Sequence, residues 1–372
     1  MDPSLDFLER LFGEDGRPAV GNTGAKLRVV RRAGHPFLLL PRHSREAVAT
    51  LSLYAPQTAR ARLAQALLRW AIKLSAPFPG ESIRLEVSPK APFVEFLSSL
   101  IDEGKPLGYG ILAGNPASPG QRFLVLCFNA EHRPFAVVKA ALTQCGRELI
   151  QHEESFLSAV PETLKKFNGI PAVPATFRSE EIRAFATGFT AGRSPRGHDE
   201  RDLPLLLNSW VDTERNVALS EMPAWIKLEE ACAAERHFQA VSPRLRSQRV
   251  HPCIQHGDFV PWNIKIARDG VWTVLDWERG ELIGIPGWDW FHYVIQTGIL
   301  VKRHTTLSLV AHVEGLLASD SFKNYALHSG ISGFARELVL SYLLHLVEVI
   351  QPSEGRVQSR ELLTALLLSM RT

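Results

Sequence analysis

The pattern of hydrophobic and polar positions changes texture near residue 104. Before it, apolar residues bunch at 27–30, 37–40 and 48–54, which predicts three short strands, and 83–87 predicts a fourth. Apolar positions at helical spacing predict a helix over 57–74 and another over 93–103. After it, Gly108, Gly110, Gly114 and Gly120 punctuate the chain ahead of an apolar strand at 123–128. A turn at Glu131-His132-Arg133-Pro134 leads to a strand at 135–139. A helix over 143–160 would align Leu149, Glu153, Phe156, Leu157 and Val160 on one face. A proline-broken connection at 170–174 then reaches a strand at 181–185, which Gly188 and Gly192 end. Strand, strand, helix, strand suits a small α+β lobe on an antiparallel sheet. From about 203 the pattern is mainly helical, with one strand pair inside 264–276. Three segments are expected: an N-terminal α/β extension over 1–103, a small lobe over 104–190 and a helical lobe over 191–372.

Composition adds exclusions. A chain of 372 residues with 45% hydrophobic and 22% charged residues is a globular chain too long for one core. A net charge of +3 gives no argument for nucleic acid or a membrane surface. Arg60, Arg62, Arg69 and Lys73 alternate with Leu63, Ala66, Leu67 and Ala71 at helical spacing, which reads as a solvated helix face. The N-terminus has acids early and no long apolar run, so no secretory signal is expected. The apolar stretch 338–350 is interrupted by His345 and Glu348, so no membrane span is expected and the location is read as cytoplasmic. Cys127, Cys145, Cys232 and Cys253 form no CxxC pair and are expected to be reduced thiols. No histidine pair has zinc-site spacing.

The stretch HGDFVPWN, His256 to Asn263, is where chemistry concentrates. Two apolar runs follow it, 264–267 and 271–275, separated by Arg268-Asp269-Gly270. A two-residue Asp-Gly turn would pair Arg268 with Val271 and put Asn263 directly opposite Asp276; a three-residue loop would shift this by one position. An amide oxygen and a carboxylate at the open end of a hairpin are hard ligands suited to Mg2+. Asp258, five residues before Asn263, could accept a proton from a hydroxyl as the base of a phosphoryl transfer. Each residue alone also suits an ordinary polar turn; their joint spacing favours chemistry.

HGD-x4-N followed by an apolar strand and VLDWE resembles the aminoglycoside phosphotransferase and choline kinase-like family, a branch of the protein-kinase fold. The likeness is specific over 251–292 and extends over about 105–300, where GELIGIPGWDWFHYV also resembles the family. It implies a bilobal protein-kinase-like α+β fold, with a small antiparallel-sheet lobe, a mainly helical lobe and the extension added in front. It implies Asp258 as catalytic base, Asn263 and Asp276 as Mg2+ ligands, His256 as a loop-shaping group and Asp289 as a structural aspartate. Trp262 departs from the glycine of some relatives.

The same resemblance requires a strand lysine and a helical glutamate to hold nucleotide phosphates. FAVVKA supplies Lys139, and Glu153 lies 14 residues on, with Glu148 and Glu154 as alternatives. The phosphate loop is expected within GILAGNPASPGQRFLVL, at Gly114, Asn115 and Ser118. AFATGFTAG resembles the hinge, whose backbone at Gly188, Phe189 and Thr190 would meet the adenine. The implied activity is phosphorylation of a small-molecule hydroxyl by ATP (or GTP) and Mg2+, with a nucleotide-binding scaffold as the alternative. GFTAG also has the outline of a hydrolase elbow, with threonine ill-suited to that turn. The acceptor stays open; Glu278, Glu281 and Asp289 could suit a cation, or be loop charges and a brace.

Overall fold

The computed structural model describes residues 3–13, 18–19, 25–56, 58–76, 80–101, 108–116, 118–167, 169–351 and 355–369. The junction expected at 103/104 lies outside them. The chain forms two compact units, one of 1–162 with 171–191 and one of 163–170 with 192–372. The α+β class expected from the sequence is the one observed.

The first unit contains helix α1 (Asp6–Phe12) and strands β1 (Pro18–Ala19), β2 (Ala25–Arg32) and β3 (His35–Pro41). Helices α2 (Ser44–Leu51) and α3 (Ala59–Lys73), strand β4 (Glu81–Leu85) and helix α4 (Pro92–Ser99) follow. Strands β5 (Gly108–Ala113), β6 (Arg122–Phe128) and β7 (Pro134–Ala141) precede helix α5 (Gln144–Ala159). Helix α6 (Glu162–Phe167) begins where the first unit ends, and β8 (Ala175–Arg178) and β9 (Arg183–Gly188) return to the first unit. All nine strands join one sheet in the order β1-β4-β2-β3-β5-β6-β7-β9-β8, with antiparallel neighbours throughout.

The pairing of β3 with β5 joins the stretch read as an extension to the small lobe. Side chains alternate across a sheet, so its two faces pack against different elements. Val125, Val138, Ala184 and Ala186 share a core with Leu8, Phe12, Phe93 and Leu97, so α1 and α4 cover that face. Leu38 and Leu40 point the other way and meet Ala47 and Leu51 of α2 and Ile72 of α3. The segment 1–103 therefore supplies the cover for a sheet that 108–188 could not shield alone.

Three expectations are corrected here. The run 48–54, rich in Val, Leu, Thr and Tyr, is not a strand. Its first part ends α2, because Ala47, Thr50 and Leu51 fall at helical spacing and are buried. The glycine-punctuated stretch contains β5, which was not expected. Its glycines are there for close approach: a Cβ on Gly110 would stand 1.8 Å from Thr50 Oγ1. Strand β8 was also unexpected; it is a short edge strand without a strong apolar run.

The second unit is mainly helical. Helices α7 (Leu203–Ser209), α8 (Pro223–Cys232) and α9 (Arg236–Leu245) are interleaved with the short pair β10 (Val217–Ala218) and β11 (Arg249–Val250). Strands β12 (Cys253–Gln255), β13 (Ile264–Ile266), β14 (Trp272–Val274) and β15 (Glu281–Gly284) then form two ribbons, β12 with β15 and β13 with β14. Helix α10 (Trp288–Gln296) runs on into a π-helical turn, Thr297–Lys302. Helices α11 (Thr306–Ala318), α12 (Asp320–Ser329), α13 (Ala335–Leu344) and α14 (Arg356–Ser369) complete it. No helix among the described residues is long and apolar enough to cross a membrane. All four cysteines are free thiols, and only Cys145 is exposed.

Candidate active site

The loop from β12 to β13 carries Asp258, and its backbone is tied down from below. Asp289, in the first turn of α10, accepts hydrogen bonds from the N–H groups of His256 (2.6 Å) and Gly257 (3.0 Å). Gly257 has φ +78, and a Cβ there would lie 2.8 Å from Arg279 Cβ, so glycine is required on both counts. Burial pushes the Asp289 carboxyl up, against the opposing pull of His256 and these two N–H donors. His256 is fully buried, its ring 4.6 Å from that of Trp277. Its Nε2 is 2.8 Å from the carbonyl of Leu275 and its Nδ1 is 3.1 Å from the N–H of Asp258. A carbonyl only accepts and an N–H only donates, so Nε2 carries the proton. His256 shapes the loop, as the resemblance implied.

The β13–β14 hairpin corrects the predicted register. Ile264 pairs with Val274 and Ile266 with Trp272, which makes the loop three residues, Arg268 to Gly270. Gly270 takes φ +85, as the last residue of such a loop does. Asn263 is therefore opposite Leu275, whose N–H donates to the Asn263 carbonyl at 2.7 Å, and Asp276 is one residue further on. Asp276 adopts φ +70, a conformation few non-glycine residues take, so the chain turns where the predicted ligand sits.

Asp258 has partners on both carboxylate oxygens. Asn263 Nδ2 donates to Oδ2 at 3.1 Å and to the Asp258 carbonyl at 3.0 Å. Two oxygen partners identify that atom as the amide nitrogen, which leaves Asn263 Oδ1 as the atom to meet a cation. His292 Nε2, from α10, lies 3.1 Å from Oδ1. Tyr342 of α13 stands behind it, its hydroxyl 3.1 Å from His292 Nδ1. Burial pushes the Tyr342 phenol well up, so it keeps its proton; the Asp258 carboxylate only accepts, so His292 donates to it through Nε2–H. Burial also pushes the Asp258 carboxyl up, but the hydrogen bond from His292, with the charge of Arg279 nearby, outweighs it and the net shift is downward. Asp258 stays ionised, with 31% of its side chain exposed. The sequence reading missed His292 and Tyr342. His292 sits one helical turn after Asp289, a spacing that puts both on one side of α10.

In the first unit, Lys139 of β7 is 2.5 Å from Glu153 Oε2 of α5. Their side chains are 13% and 4% exposed, so each charge is buried with the other. Glu154 instead binds Arg178 and Arg183, and Glu148 binds Gln144. Lys139 faces away from Val138 and Ala140, so α5 lies on the sheet face opposite α1 and α4.

The β5–β6 loop uses its backbone internally. The N–H of Gly114 donates to Arg122 at 2.8 Å and that of Ser118 to Asn115 at 3.0 Å. A Cβ on Gly114 would stand 2.4 Å from the Arg122 carbonyl, so strand contact requires that glycine. Gly188 pairs with Ala136, and the Phe189 N–H donates to Phe135 at 3.0 Å. Gly188, Phe189 and Thr190 lie just before the first unit ends at Ala191. No helix follows β9 directly, so GFTAG is not a strand–turn–helix elbow. Glu281 is bound to Lys227 at 2.9 Å and Asp289 braces the loop, so both have structural tasks. Among the described residues no three His, Cys, Asp or Glu side chains gather as a metal site, and a cation at Asn263 and Asp276 would need ligands from phosphate or water.

No curated protein matches the chain. Among solved structures, the aminoglycoside phosphotransferase APH(3'')-Id from Streptomyces rimosus is 12% identical, covering 68% of this chain and 96% of its own, with a TM-score of 0.40. Choline kinase LicA from Streptococcus pneumoniae is 13% identical, covering 74% and 97%, with a TM-score of 0.43. An ethanolamine kinase from Plasmodium vivax is 11% identical, covering 70% and 82%, with a TM-score of 0.45. Lys139, Glu153, Asp258, Asn263, Asp276 and Asp289 all fall within residues 131–290, the stretch of this chain that matches the model of APH, the Phosphotransferase enzyme family.

Proposed function

We propose that the protein transfers the γ-phosphoryl group of ATP (or GTP), with Mg2+, to a hydroxyl of a small molecule. The observation that carries this reading is the state of Asp258: ionised, partly exposed, and oriented through one oxygen by Asn263 and through the other by His292. The family match over 131–290 supports the reaction class.

Asp258 orients the acceptor hydroxyl and takes its proton. A carboxylate held ionised is a weak base, so the proton moves late, as the new O–P bond forms and the bridging P–O bond to the nucleoside diphosphate breaks. His292 keeps its Nε2–H on Asp258 and so keeps the second oxygen aimed. Lys139, fixed by Glu153, is the cation for the nucleotide phosphates. Asn263 Oδ1 and Asp276 would hold Mg2+, which when bound neutralises charge on the transferring group. Gly114, Asn115 and Ser118 remain the proposed phosphate loop, with the Asn115 and Ser118 side chains as the groups that reach phosphate, since the Gly114 and Ser118 amides are bonded internally. Gly188, Phe189 and Thr190 remain the proposed adenine edge.

The test is nucleotide titration with and without Mg2+, followed by ATP consumption across a panel of hydroxyl compounds that includes aminoglycosides, choline, sugars and nucleosides. Transfer to a panel member supports the reading. Tight nucleotide binding with no transfer to any of them would favour the scaffold instead.

A further inference from the structure

Helix α3 carries an apolar stripe that the protein leaves uncovered. Leu63, Leu67, Trp70 and Leu74 recur at intervals of four, three and four residues, so they line one side, and they are 62%, 63%, 68% and 62% exposed. The helix is held by its other side. Ile72 is buried with Leu38, Leu40 and Leu51, Leu68 packs beside it, and Gln65 Nε2 donates to the carbonyls of Leu51 (3.0 Å) and Tyr54 (2.7 Å). The stripe is thus a fixed outer ridge.

The charges around it have one sign. Between residues 41 and 76 there are six basic residues, Arg42, Arg45, Arg60, Arg62, Arg69 and Lys73, and one acidic residue, Glu46. That is a local net charge of +5 in a chain whose total is +3. Glu46 is 5% exposed and bonded to His132 at 2.9 Å, so its charge is turned inward. The balanced total concealed this asymmetry, and the alternation taken for a solvated face has leucines and a tryptophan on its outer side.

We infer that α3 docks the protein on an anionic phospholipid bilayer, with the stripe entering the headgroup boundary and the basic residues against lipid phosphates. Leucines and tryptophan on one face, with arginines and lysine beside them, is the composition that interfacial helices use. Trp70 near the middle of the stripe has the amphipathic ring that settles at that boundary. A nucleic acid does not account for a continuous leucine stripe. A second copy would bring two surfaces of the same positive charge together. A convex ridge also conforms to a deformable bilayer without a preformed groove.

The test is co-sedimentation of the full chain with vesicles of phosphatidylcholine alone and of phosphatidylcholine with phosphatidylglycerol, at low and high salt. Binding to the anionic vesicles only, weakened by salt, is expected. Leu67→Ser with Trp70→Ser, and separately Arg62→Gln with Arg69→Gln, should each reduce it by about tenfold or more. All four positions are exposed, and a thermal melt shows whether each variant is folded. The charge variant and the salt series decide the matter should the apolar variant fail to fold. No binding to anionic vesicles, or binding that neither variant alters, overturns the inference. So does a wild-type dimer in light scattering that Leu67→Ser with Trp70→Ser converts to monomers, since a second copy would then cover the stripe.

Discussion

His292 Nε2 lies 3.1 Å from Asp258 Oδ1, and the contact ties the candidate base to the middle of α10. Tyr342 fixes which imidazole nitrogen faces the carboxylate. His292→Phe keeps the ring's bulk and removes the donor. Turnover should fall about ten- to a hundredfold with nucleotide KM unchanged, the range for losing one hydrogen bond to a charged group. The sign of the pH effect follows from the low Asp258 pKa. Activity needs the ionised carboxylate and is lost as pH falls through its pKa; removing His292 raises that pKa, so the acid limb of the pH–rate profile should move to higher pH. A profile that keeps its acid limb in place would show that His292 only packs.

Asp258 and Asp276 should separate by what they lose. Asp258→Ala is expected to bind nucleotide like the wild type and to lose about three orders of magnitude in turnover. Asp276→Ala should lose the Mg2+-dependent part of nucleotide binding as well. Calorimetric titration with and without Mg2+ checks both, and a single pattern for both variants would contradict the division of roles.

Lys139 and Glu153 form a buried pair, so removing one partner strands the other charge. Glu153→Ala should lower stability by about 3–5 kcal/mol and weaken nucleotide binding. Lys139→Met with Glu153→Leu should recover most of the stability and none of the binding. Denaturant melts beside nucleotide titrations distinguish these effects.

How much of this the sequence displayed depends on the range of the interactions. The HGD-x4-N spacing, the Lys139–Glu153 pair and the brace at Asp289 are read from local order, because family motifs and helical periods are local. The hairpin register was ambiguous between a two- and a three-residue loop at Asp269-Gly270, and side-chain pattern alone does not choose between them. The strand assigned to 48–54 failed because Thr50 and Leu51 answer to tertiary packing against Gly110 and Ile72, contacts made far along the chain. His292 was overlooked because its role exists only once α10 meets the Asp258 loop.

The segment 1–103 should be indispensable to the first unit. Phe93 is 1% exposed in the core beneath β6, β7 and β9. Phe93→Ala should cost about 3–5 kcal/mol, read as a lower denaturant midpoint. A protein starting at 104 should expose that sheet face and bind clearly more hydrophobic dye than the 372-residue chain does.

His345 predicts an acid-sensitive second unit. Burial, with the charges of Lys227, Arg279 and His292, lowers its pKa from 6.5 to about 3, and its ring packs 4.7 Å from Trp288. The unfolded chain therefore binds a proton between those values that the folded chain refuses, so stability falls as pH drops below about 6.5. The slope from this group is at most about 1.4 kcal/mol per pH unit. His345→Gln should flatten the fall of Tm between neutral and mildly acidic pH; an unchanged slope would place the sensitivity elsewhere.

The central claim is that Asp258 serves a hydroxyl that receives phosphate from a nucleotide. Phosphorus NMR of ATP, Mg2+ and the hydroxyl panel, with wild type beside Asp258→Asn, tests it most directly. The account predicts a new phosphomonoester signal with wild type, and its near disappearance with Asp258→Asn at retained nucleotide binding. The same phosphomonoester at the same rate from Asp258→Asn would contradict it.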